Sequence, residues 1–182
     1  MATAYGIEMT KLAATQTVPR SLREVGSAGG KLRVFSDTIA AATGDIDDND
    51  IIMLAEIPSG AKIVSIKVYN DDLDSNGSPT LVTDVGVYNG NTRFIDTDGS
   101  STVYEAEGVV DRDCYGTVST VLQAAVTSGT EFRYETLNIN GVANYMWQDA
   151  GLTSDPQVAL WIALTMETVA ATAASGDITM VV

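Results

Sequence analysis

Between residues 50 and 88 the chain lays down three apolar runs separated by turn residues. Residues 50–57 end in the link Pro58-Ser59-Gly60-Ala61. Residues 62–69 follow, then the acidic turn Asn70-Asp71-Asp72-Leu73-Asp74-Ser75-Asn76-Gly77, then the run 81–88. In the second run Val64, Ile66 and Val68 fall on one side and Ser65, Lys67 and Tyr69 on the other, the period of two of a half-buried strand. Further on, Val158, Leu160, Ile162, Leu164 and Met166 form the cleanest alternating face, and Ile178, Met180 and Val182 a closing strand. Shorter strands are predicted at 32–35, on either side of an Asp96-Thr97-Asp98-Gly99 hairpin tip (93–95 and 102–105), and where Phe132 and Tyr134 alternate with Arg133 and Glu135; residues 38–42 lead into an acidic turn at 44–50. Two stretches read as helical. Val118, Val121, Leu122, Ala125 and Val126 have the spacing of a helical face, and Asn140 can cap a helix over 142–149 that Gly151 ends. Short runs, short connections and no internal repeat predict an all-β protein: an antiparallel two-sheet β-sandwich, jelly-roll-like, with one or two short helices. The expected core is Ile52, Leu54, Val64, Ile66, Val68, Val85, Val87, Leu160, Ile162 and Leu164.

Composition narrows this picture. A chain of 182 residues, 45% hydrophobic and 19% charged, is sized for one globular domain. No apolar run approaches the roughly 18–20 residues that cross a bilayer, and no signal peptide is visible at the N-terminus. The single cysteine, Cys114, forms no intrachain disulfide, in keeping with assembly in a reducing cytoplasm. The net charge of −14 is uneven: residues 1–33 hold five basic and two acidic side chains, a net of +3, which leaves −17 on the rest. The acidic body disfavours nucleic acid and anionic membranes. Residues 1–30, with Pro19 and a Gly26-Ser27-Ala28-Gly29-Gly30 hinge, read as an extended N-terminal arm ahead of a domain at 31–182. Arg20, Arg23 and Lys31 are its expected partner-binding residues, directed at an acidic partner surface.

Candidate chemistry is sparse. The sequence has no histidine, which removes the side chain best suited to proton transfer near neutral pH and any Ser-His-Asp or Cys-His arrangement. Cys114 has Asp111 and Asp113 beside it, which disfavour a thiolate. The segment from Gly26 to Lys31 is one residue short of a phosphate loop and has Leu32 where a Ser or Thr belongs. Neither a catalytic residue nor an organic cofactor is expected. Calcium is the one ligand hypothesis: Asp72, Asp74 and Asn76 offer oxygens at alternate positions before Gly77, and Asp45, Asp47 and Asn49 repeat the spacing with a poorer ending. Acidic hairpin turns account for the same residues without a metal.

The Ile57-Pro58-x-Gly60-Ala61 link, the Asn70-Asp71-Asp72-Leu73 turn and the Asp84-Val85-Gly86 strand resemble a family of small virion structural proteins of tailed bacteriophages. So do Trp147, Gly151-Leu152, Asp155-Pro156 and Gly176-Asp177-Ile178-Thr179 near the C-terminus. The likeness spans residues 50–90 and 140–182. It implies a non-enzymatic β-sandwich or jelly-roll protein on the capsid exterior: a decoration, or cement, protein that binds the major capsid protein and staples neighbouring capsomers. A homo-oligomer is expected, a trimer ahead of a dimer. A tail, connector or head-fibre component is the alternative within the virion. A calcium- or carbohydrate-binding β-sandwich module is the alternative outside it.

Overall fold

The computed structural model describes residues 32–89, 109–137 and 139–182. The arm, its hinge, Arg20, Arg23, Lys31 and the hairpin tip at 96–99 lie outside the described residues. Residues Phe35–Val182 form one compact unit with eight strands among the described residues: β1 (Ser36–Ala41), β2 (Ile51–Pro58), β3 (Lys67–Asn70), β4 (Val82–Asn89), β5 (Val109–Ser119), β6 (Val126–Glu131), β7 (Ala159–Thr168) and β8 (Gly176–Val181). They make two antiparallel four-stranded sheets, ordered β1-β8-β3-β6 and β2-β7-β4-β5. Strand β1 pairs with β8, β2 with β7, β3 with β6 and β4 with β5. That nesting describes one long hairpin folded over itself, with successive strand pairs laid alternately into the two sheets. This is the double Greek-key jelly roll.

The sandwich arises because one face of each strand is apolar. Ile178 and Met180 of one sheet and Val85, Val87, Leu160, Ile162 and Leu164 of the other are fully or nearly fully buried in a single core, joined by Ile52, Leu54, Ile66 and Val68. Strand β2 shows how register serves burial. Strict alternation from Ile52 and Leu54 would carry Glu56 into the core. Instead, the pairing with β7 slips between Met53 and Ala55, so that Leu54 and Ala55 are both buried, Ile57 points inward and Glu56 stays exposed. One bulge shifts the phase of the strand by a residue and keeps a carboxylate in water.

Several sequence expectations need correction. Val64, placed in the core, is exposed, and Ile63 is buried in its stead. The strand predicted over 62–69 begins only at Lys67. The helical face at 117–126 is instead the end of β5 and a single 3-10 turn, Val121–Gln123; Val118 has a φ of 51° and is exposed. Phe132 and Arg133 are consecutive and both buried, so the alternation there fails, and residues 133–135 form a turn. The helix over 142–149 divides into a 3-10 turn, Ile139–Ala143, and one α-helical turn, α1 (Met146–Asp149). Tyr145, rather than Asn140, is its N-cap residue, with its N–H donated to Gln148 Oε1 at 2.9 Å. Gly151, at φ 69°, follows the helix in the left-handed conformation that glycine adopts without strain.

Strand β5 lies unusually close to β4. Val85 faces Gly116 and Val87 faces Asp111, so two steps along β4 span five along β5. The extra residues bulge over Gly86, where a Cβ would sit 2.1 Å from the Arg112 carbonyl carbon and 2.3 Å from the Asp111 carbonyl oxygen. Both obstacles are backbone and cannot swing away. Gly86→Ala is therefore expected to lower stability by at least about 3 kcal/mol. Gly77→Ala, with open space around the added carbon, should change it by less than about 0.5 kcal/mol. Urea midpoints of the two variants measure the contrast.

Candidate functional sites at the two ends of the sandwich

The topology gathers the connections into two groups. At one end the chain crosses between sheets from β1 to β2, from β3 to β4, from β5 to β6 and from β7 to β8. At the other it crosses from β2 to β3 and from β6 to β7. Loops that cross between sheets have no strand neighbour to satisfy their backbone, so other groups must do so.

At the first end that group is Asp74. Its residue is 1% exposed. Oδ2 accepts the N–H groups of Thr80, Leu81 and Ala171 at 2.7, 3.0 and 3.0 Å, and Oδ1 accepts that of Thr172 at 2.8 Å. One carboxylate thus ties the β3–β4 crossing to the β7–β8 crossing. Burial opposes its ionisation, but the four N–H donors outweigh burial and hold the carboxyl well below the usual range. Around it Asn70 Nδ2 is shared among the carbonyls of Asp71, Val121 and Ala124, and Leu73 N–H donates to Leu122 O.

This geometry bears directly on the calcium hypothesis. Asp72 Oδ1 accepts Asp74 N–H at 3.1 Å, and Asn76 Oδ1 accepts Ser78 N–H at 2.9 Å while its amide donates to Thr172 Oγ1. The three residues turn their oxygens toward backbone donors, and the positive ends of four peptide dipoles already surround Asp74. A cation would meet those dipoles head-on. Among the described residues no three His, Cys, Asp or Glu side chains converge as a metal-binding group. The Asp45 turn works similarly, with Asp45 Oδ2 accepting Ala42 N–H and Asp50 Oδ2 accepting Asp47 N–H, both at 2.8 Å.

At the second end the organiser is Arg133, which sequence reasoning assigned to a solvent face. It is fully buried. Nε donates to Ile63 O and Nη2 to Gly141 O, both at 3.0 Å, and Nη2 lies 3.0 Å from Asp149 Oδ2. Tyr115 OH also donates to that oxygen at 3.2 Å. The guanidinium stands over the rings of Tyr134 and Tyr115, 5.4 and 5.7 Å from their centroids. Burial pushes the Asp149 carboxyl up, partly offset by Arg133. Beside this cluster Ser59 Oγ donates to Asp155 Oδ1 at 2.5 Å, and the N–H groups of Met146 and Trp147 donate to the carbonyls of Ala61 and Ser59. No local pattern marks Arg133, because its partners come from distant stretches of chain. The only available signal was an arginine set between two aromatic residues.

The remaining chemistry is inert in kind. Cys114 is buried, and burial first, then Asp111, Asp149 and Asp113, push its thiol far above the ordinary range. Trp161 lies opposite Leu160 and Ile162, on the outer face of β7, where Ala163 and Thr165 are themselves buried. Arg112 on the same face bridges Asp84 Oδ2 at 3.2 Å and Glu167, and Asp84 Oδ1 accepts Val118 N–H at 2.8 Å. Among the described residues no helix is long and apolar enough to cross a membrane.

Two solved structures share this arrangement. The fold occurs in phage capsids. A chain of the capsid of Ralstonia phage GP4 superposes with a TM-score of 0.58 at 20% identity, covering 84% of this chain and 82% of that one. A chain of the cyanophage Pam1 capsid asymmetric unit superposes with a TM-score of 0.50 at 20% identity, covering 82% and 80%. No protein-family model and no curated protein matches the sequence.

Asp74 yields a test with a defined sign. In Asp74→Asn one end of the amide presents N–H to N–H whichever way it is turned, and Asp74→Ala frees all four donors. Losses on the order of 2 and 3 kcal/mol or more are expected, and added calcium should restore neither. Because the folded carboxyl is held low, its stabilisation is complete above the ordinary value of about 4 and disappears as pH falls from there through the folded value. The acid limb of stability against pH should therefore flatten in Asp74→Asn.

Proposed function

We propose that this chain is a non-enzymatic structural component of a tailed-phage virion, a decoration protein that sits on the capsid exterior. It would bind the major capsid protein and link neighbouring capsomers. The observation that carries this reading is the jelly roll shared over more than four-fifths of the chain with chains of two phage capsids. The site chemistry is consistent with it. The residues that resemble phage virion proteins have architectural work here: Asn70 and Leu73 in one set of crossings, Asp84 and Gly86 under β5, Ala61 holding α1. Each is spent on holding loops in place, as suits a part whose role is to present a fixed surface.

The mechanism is mechanical. A protein that binds the closed shell and not the opened one stabilises it by RT ln(1 + [L]/Kd) per site, about 2.7 kcal/mol at a hundredfold excess over Kd. A homo-oligomer, as a trimer at a symmetry point, would engage several capsomers at once and gain by avidity. Residues 1–30, with Arg20 and Arg23, would add an electrostatic contact to an acidic shell surface together with Lys31.

Heads that lack this chain, imaged before and after the purified protein is added, test the proposal. Added density on the outer surface and a higher temperature of shell opening are expected. Deleting residues 1–30 should leave a folded domain that attaches more weakly, by a margin that shrinks as salt screens the contact. Density confined to the tail, connector or head fibres would replace decoration with the alternative virion position. Absence of binding would refute the proposal.

A further inference from the structure

The Arg133 cluster has a surface above it. Arg133 holds Ile63 O and Gly141 O, and the next residue after each is an exposed valine: Val64 at 59% and Val142 at 48%. Between them Tyr134, 45% exposed, covers the guanidinium and donates its hydroxyl to Val64 O at 3.3 Å. Two stretches of chain, one around Val64 and one from Tyr134 to Val142, are thus tied to the same guanidinium and leave three large exposed side chains next to it. Single exposed hydrophobics are ordinary, whereas a convergent group on a rigid base marks a contact surface. The base is costly, since burying an ion pair brings desolvation that packed apolar residues would avoid.

Charge identifies the occupant. Glu131 and Glu135 are exposed beside Tyr134, while the exposed Lys62 on the Val64 side turns its ammonium over the Tyr145 ring. Glu131 is fixed there, accepting the N–H groups of Ile66 and Arg133 at 3.0 Å each. The chain beyond residue 33 carries a net −17. Two such rims brought face to face would repel, which disfavours the same patch on a second copy. We infer that the Val64–Tyr134–Val142 patch is the docking surface for a protein partner with an apolar centre and a basic rim. On the decoration reading, on which this assignment of partner rests, that surface belongs to the shell. Three side chains make a modest anchor, and an oligomer that engages several shell sites at once makes it sufficient.

The test measures binding of the full chain to phage heads that lack it, with three exposed-site variants. Val64→Asn combined with Val142→Asn should weaken binding at least tenfold with the melting temperature unchanged. Tyr134→Ser should also weaken binding, with a lower melting temperature because it removes the ring over Arg133 and the hydroxyl bond to Val64 O. Glu135→Gln should weaken binding modestly and reduce its dependence on salt. If wild type binds heads and the double variant binds equally well, the patch is not the docking surface, although the decoration reading stands. If wild type does not bind heads, both fail. If the double variant alters the sedimentation of the isolated protein, the occupant is a second copy and the inferred partner is overturned.

Discussion

A single buried carboxylate, Asp74, fixes the end of the sandwich where the chain passes most often between sheets. The two sheets are held face to face by apolar side chains, and that attraction is indifferent to how the connecting loops run. The loops are constrained because their peptide groups must find partners once they leave the strands. Asp74 supplies four such partners at once, two on each crossing. It can do so only while ionised, since a protonated oxygen would itself become a donor facing donors. The acidic character of the turn is thus a structural requirement, and it accounts for residues that otherwise look like a cation loop.

The opposite end solves the same problem with the opposite charge. There the unsatisfied groups are carbonyls, at Ile63 and Gly141, and the donor is the guanidinium of Arg133, neutralised by Asp149 from α1. The short helix is held in turn by Ser59 and Ala61 in the β2–β3 link. Each end is pinned by one buried charged side chain, and the sheets between need only apolar alternation. A sandwich fixed at both ends keeps its loops in set positions, which is the property a structural partner in an assembly would use.

The strands of this fold were legible wherever both neighbours are strands. The face Leu160, Ile162, Leu164 and Met166 is buried as its period requires, because β7 lies between β2 and β4. Legibility failed where side chains replace strands as backbone partners. Val64 was assigned inward by alternation, but the carbonyls of Ile63 and Val64 bond to Arg133 and Tyr134, so that segment need not follow a pleat. The apolar spacing at 118–126 suits a helix, yet the carbonyls of Val121, Leu122 and Ala124 are taken by Asn70 and Leu73. At one end of the sandwich the acidic stretch 70–77, read as a hairpin turn, is a crossing between sheets, and the sequence carried no sign of its partners. Arg133 was invisible for the same reason: its burial depends on contacts that no local window contains.

The central claim, that Asp74 is a backbone acceptor and not a cation ligand, is tested most directly by its own titration. Carbon-13 chemical shifts of the aspartate carboxyl groups, followed from neutral to acidic pH with and without calcium, separate Asp74 from the exposed aspartates. The account predicts that Asp74 stays ionised after the exposed carboxyls have protonated, until the protein unfolds, and that calcium leaves its shift unchanged. An Asp74 signal that titrates with the exposed groups, or one that moves on addition of calcium, would contradict it.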